Sequence, residues 1–109
     1  MKITTTTQSL NGTSFHDGYV KATYNELFSI FGKHHYDDIG KISAEWALQT
    51  NDGLVFAIYD WNEYYKYPIH NKDVEYDWHI GTKTVTETHE VIKALKSIGL
   101  NATHKEFSI

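Results

Sequence analysis

The chain has 109 residues, 40% of them apolar, and fourteen acidic residues against ten basic ones give a net charge of −4. That length allows one hydrophobic core, and the longest apolar run, Leu54–Tyr59, is far too short to span a bilayer. Cysteine is absent, which excludes a disulfide framework or thiolate metal site, and all ten basic residues are lysine, which argues against sequence-specific DNA binding through arginine forks.

The first predicted element is a strand at Gly18–Tyr24 (GYVKATY), where side chains alternate. A short helix follows in TYNELFSIFG. Thr23 and Glu26 have the spacing of a capping box, Leu27, Phe28, Ile30 and Phe31 supply an apolar face, and Gly32 stands where a left-handed stop belongs. Lys33–Gly40 (KHHYDDIG) is polar and reads as a loop. KISAEWALQT then alternates, with Ile42, Ala44, Trp46 and Leu48 on one face and Lys41, Ser43, Glu45 and Gln49 mostly on the other. Asn51-Asp52-Gly53 signals a hairpin turn, and Leu54–Trp61 returns as the partner strand, apolar enough to be central.

Asn62–Asp73 carries the only proline and three tyrosines and reads as a long loop. Val74–Ile80 (VEYDWHI) alternates again. The second helix lies in TVTETHEVIKALKSIG, with Thr84 and Glu87 at capping-box spacing, Val85, Val91, Ile92, Leu95 and Ile98 as its stripe, and Gly99 at its end. The tail LNATHKEFSI has room for an edge strand, which could pair with a second copy of the chain as a homo-oligomer. The expected fold is a single α+β domain over residues 1–109. Its order is β-α-β-β-β-α, an antiparallel sheet of about four strands with both helices on one face.

The tripeptide Tyr-Asp-Trp occurs twice, at Tyr59-Asp60-Trp61 and Tyr76-Asp77-Trp78. In a strand each Tyr and Trp share a face and the Asp points away. On neighbouring antiparallel strands both aromatic pairs are expected on one face and both aspartates on the other. One reading is cross-strand packing beneath a helix, worth roughly 0.2–1 kcal/mol per pair. Another is a stacking platform in which Asp60, Asp77 or His79 add polar contacts and each ring contributes roughly 1–3 kcal/mol to a bound base. Trp46 can join either arrangement.

No standard metal-binding spacing is found, and His34, His35, Asp37 and Asp38 read as a solvated loop, so no metal site is expected. There is no nucleophile elbow and no Walker or dinucleotide glycine pattern, so no catalytic residue and no cofactor is assigned. A carboxylate pair, Asp60 with Asp77, and His79 leave only a weak case for an enzyme. Tyr64, Tyr65 and Tyr67 form a tyrosine-rich loop of the composition used by recognition surfaces. The N-terminus lacks the apolar stretch of a signal peptide, so a cytoplasmic setting is expected.

The chain resembles a group of small bacteriophage-encoded proteins over about residues 9 to 98. Their ordered pattern stands here as Gly18-Tyr19, Leu27 with Phe31-Gly32, Lys41 with Glu45-Trp46, Asp52-Gly53, Ile58-Tyr59-Asp60-Trp61 and Trp78-His79-Ile80-Gly81. The chain departs from it at Lys33, Asn62 and Thr82, the last replacing a second glycine. The resemblance implies a viral accessory factor in the host cytoplasm and carries no catalytic activity. In that setting the small size, the mild acidity and the tyrosine-rich loop favour an inhibitory binding protein that counteracts a host defence system, such as an anti-CRISPR occupying an effector or nuclease. The alternative is a protein that sequesters a nucleotide second messenger, with Trp61 and Trp78 as walls and Lys41 for phosphate. A third reading is a nucleotide-directed hydrolase using Asp60, Asp77 and His79. The candidate binding residues are therefore Lys41, Trp46, Tyr59, Asp60, Trp61, Tyr64, Tyr65, Tyr67, Tyr76, Asp77, Trp78 and His79.

Overall fold

A computed structural model describes residues 2–39, 42–61 and 71–105. The elements in chain order are β1 (Ile3–Thr5), β2 (Ser14–Ala22), α1 (Tyr24–Phe31), β3 (Tyr36–Ile39), β4 (Ile42–Thr50), β5 (Val55–Tyr59), β6 (Tyr76–Thr82), α2 (Val85–Ser97) and β7 (Asn101–His104). All strand pairs are antiparallel, and the sheet runs β1-β4-β5-β6-β2-β7, with β3 also on the outer edge of β4. The α+β fold class holds, with seven strands among the described residues where about four and a possible C-terminal edge strand are expected; β7 is that edge strand. The extra two, β1 and β3, are three and four residues long, too short to show a period of two. β3 lies inside the segment expected to be a loop.

The helices start and stop where their caps dictate. Thr23 Oγ1 accepts from the Glu26 N–H at 3.0 Å while Glu26 Oε1 accepts from the Thr23 N–H at 3.1 Å, completing a capping box. Thr84 Oγ1 accepts from the Glu87 N–H at 3.1 Å at the start of α2. At its end the Gly99 N–H donates to Lys96 O at 3.0 Å and the Leu100 N–H to Leu95 O at 3.1 Å, a Schellman closure that also folds Leu100 into the core. Asn51-Asp52-Gly53 forms the β4–β5 turn. Gly53 has φ +86°, where a side chain would be strained, and the Thr50 N–H closes the hairpin onto Leu54 O at 3.0 Å.

The core lies between the sheet and the two helices. Val20, Ala44, Trp46, Leu48, Phe56, Ile58, Trp78 and Ile80 from the strands meet Leu27 and Phe31 of α1 and Val91, Ile92 and Leu95 of α2. Phe28 and Ile30, expected on the apolar face of α1, are instead largely exposed, because eight residues bury only the Tyr24, Leu27, Phe31 row. Val85 at the first turn of α2 is exposed as well. Where α2 crosses β2 the contact is close: a Cβ on Gly18 would lie 2.6 Å from Thr88 Cγ2. Thr82 is fully buried in this seam with its hydroxyl 2.6 Å from that of Thr88.

Register decides which tryptophans join the core. Tyr59 pairs with His79 and Ile58 with Ile80, so Tyr59 shares a face with Asp77 and His79. Tyr76 and Trp78 lie on the opposite, helix-covered face. The expectation that both aromatic pairs share one face is overturned by this odd–even parity.

Candidate functional site

The second face of the sheet carries no helix among the described residues, and a continuous cross-strand row runs over it. Glu45 of β4 pairs with Tyr59 of β5, Tyr59 with His79 of β6, His79 with Tyr19 of β2, and Tyr19 with Thr103 of β7. All five are partly buried. Phe15 joins the row because β2 is irregular between Phe15 and Tyr19, where Asp17 takes φ +64°. Between these positions β2 takes four steps while β6 takes two, so the irregularity adds two residues, preserves the parity that puts Phe15 and Tyr19 on one face, and draws Phe15 in toward His79.

His79 is the centre of the cluster. Its ring stacks on Phe15 at 4.3 Å between centroids and 22° between planes, and meets Tyr19 at 5.4 Å and Tyr59 at 5.5 Å edge-on. Phe15 and Tyr19 touch edge-to-face at 5.2 Å. Each contact has the geometry that aromatic quadrupoles favour. The cage of rings therefore holds the imidazole in one orientation, partly buried on the open face.

Electrostatics keep these rings neutral. Burial lowers the pKa of His79 against the opposing pull of Asp60 and Asp77. Burial, with the charge of Glu45, pushes Tyr59 up to about 12. Tyr19 is raised by burial and by Asp17 and Asp77, and Glu45 is raised by burial and by Asp60. At neutral pH Tyr59 is thus a hydrogen-bond donor on an apolar ring, poorly matched to accepting a proton. The arrangement is suited to recognition by ring contact.

The sequence-predicted site residues fall into separate places. Trp46 and Trp78 are fully buried and meet edge-to-face at 5.3 Å. Their indole N–H groups donate to Gly32 O at 2.9 Å and Ala22 O at 3.1 Å. Such satisfied core residues offer no wall to a ligand. Tyr76 is half-buried beside Trp78 and its hydroxyl donates to Trp61 O at 2.7 Å. Asp60 is also fully buried. Its carboxylate accepts from the Ser43 N–H at 2.8 Å, the Ser43 hydroxyl at 2.5 Å and the Ala44 N–H at 3.0 Å, so it is a structural cap and not a ligand contact. Trp61 is 43% exposed. Tyr59, Asp77 and His79 do belong to the open face. Lys41, Tyr64, Tyr65 and Tyr67 lie outside the described residues.

The histidine pair at the start of β3 is structural. His34 is buried with Nδ1 2.7 Å from the Tyr24 hydroxyl, and His35 Nδ1 accepts from the Ala47 N–H at 2.8 Å. Among the described residues no group of three or more His, Cys, Asp or Glu is placed to hold a metal ion. No helix among them is long and apolar enough to cross a membrane.

Phe15, Tyr19 and Glu45 were missed as site residues. Tyr19 and Glu45 carried a signal in their alternation with Val20 and Ala44. Phe15 carried none, since it precedes the stretch Gly18–Tyr24 whose alternation marks the strand, and β2 in fact starts at Ser14. Comparison of the chain with protein-family models, with curated proteins and with solved structures found no match.

Proposed function

We propose that this chain is a small inhibitory binding protein of the viral accessory kind its sequence pattern resembles. It counteracts a host defence system by covering a surface of an effector or nuclease, in the manner of an anti-CRISPR. The observation that carries the reading is the row Glu45–Tyr59–His79–Tyr19 with Phe15 stacked on its centre. Rings locked against one another lose little conformational freedom when a partner docks, which is why interfaces are rich in them.

The nucleotide reading is less favoured because Trp46 and Trp78 are in the core. The hydrolase reading is less favoured because the hydrogen bonds of Asp60 hold it away from solvent. The test is a panel of purified host effectors and nucleases, assayed for complex formation and loss of activity. One member is expected to form a stable complex and be inhibited, and a Phe15→Ala/Tyr59→Ala variant that still melts cooperatively should lose both properties. Native mass spectrometry showing a retained small molecule of roughly nucleotide size, with no effector bound, would overturn the proposal.

A further inference from the structure

One end of the open face carries a contact that the row itself does not require. Lys105, just after β7, is held there by its own backbone, whose N–H donates to Asp17 O at 2.9 Å. Its ammonium sits 5.7 Å from the centroid of the Tyr19 ring, within range of a cation–π interaction. Asp17 lies two residues before Tyr19 on the bulge, and exposed Asp77 lies two residues along β6 from His79, the cross-strand partner of Tyr19, with Lys21 opposite it; both carboxylates raise the pKa of the Tyr19 phenol. The ring is therefore an electron-rich surface with an acidic side chain nearby on each of the two paired strands, β2 and β6. A positive charge already rests on it.

We propose that the Tyr19 ring, with Asp17 and Asp77, is the seat for an arginine or lysine side chain of the partner protein, and that Lys105 is the chain's own stand-in for it. This rests on the reading of the open face as a protein-binding surface and names the chemistry of the segment that binds there. Charge complementarity points the same way. The chain carries −4 overall, and Glu45 continues the acidic character along the row. A partner guanidinium is planar and weakly hydrated, so it stacks on the phenol better than the ammonium it displaces. Lys105 is exposed and can return to water when it leaves.

The seat is tested by nuclear magnetic resonance titration of the intact protein with an acetylated tetra-arginine amide, and with tetra-glutamate as the opposite charge. Ring signals of Tyr19 are expected to shift with tetra-arginine and not with tetra-glutamate. Lys105→Gln should tighten tetra-arginine by about two- to fivefold, the range of an exposed cation–π contact. Tyr19→Leu should remove the response, and Asp77→Asn, a milder surface change, should weaken it. Equal responses to both peptides, shifts confined to other parts of the molecule, or no gain from Lys105→Gln would overturn the seat. If those negatives appear while the Phe15→Ala/Tyr59→Ala variant still loses its effector, the open face stands and only the cation seat falls.

Discussion

Tyr59-Asp60-Trp61 and Tyr76-Asp77-Trp78 are identical in sequence and opposite in use. In the first the aspartate is fully buried and the tryptophan is exposed; in the second the tryptophan is fully buried and the aspartate is exposed. Two causes separate them. β5 ends at Tyr59, so Asp60 is free to turn its carboxylate onto the amides of Ser43 and Ala44, beyond the last paired residues. β6 begins at Tyr76, so its tripeptide lies within the ladder and alternates strictly. Side-chain fate here follows position relative to the strand end and the parity of the register. Residue identity alone does not fix it.

Substitution can break the contrast at its strongest point. Trp78→Ala should destabilise by about 3–5 kcal/mol, as large-to-small changes in a packed core do, whereas Trp61→Ala should cost about 1 kcal/mol or less. Urea denaturation of the two variants side by side measures the gap. The aspartates should invert the order. Asp60→Ala leaves two buried amides without their acceptor and should cost about 2–4 kcal/mol, against about 0.5 kcal/mol or less for Asp77→Ala.

A smaller effect follows from His79, the neighbour of the second tripeptide. Its folded pKa lies below the unfolded value of about 6.5, so the folded state binds fewer protons in that range. Its contribution is complete above the unfolded pKa and is lost as pH falls from there through the lowered folded value. Glu45 works in the opposite sense, its raised pKa favouring the fold as it takes up a proton at lower pH. The difference between wild type and His79→Phe, which keeps the ring stack and cannot titrate, isolates the histidine. Melting temperatures from pH 7 to pH 5 should fall more steeply in the wild type, and parallel curves would contradict the assignment.

Long alternating segments and capped helices were legible because each carries its own local physics. Ile42–Thr50 shows its buried face in Ala44, Trp46 and Leu48, and Thr23 with Glu26 announces the first turn of α1. The relation between segments was not legible. Whether Tyr59 faces His79 or Tyr76 depends on the register between β5 and β6, and no residue near Tyr59 encodes that. The site suffered most, since it is a row across five strands and a bulge. Its members are far apart in sequence, and the two most conspicuous aromatics, Trp46 and Trp78, belong to the core.

The place of β2 between β6 and β7 bears on how quickly the molecule assembles. Ser14 pairs with Thr82 and Gly18 with His104, so β2 finds both neighbours only after α1, β3, β4 and β5 have been made. Chains dominated by such distant pairings fold slowly, on the order of milliseconds to seconds. During that interval both edges of Ser14–Ala22 lie open, a template for pairing with another chain.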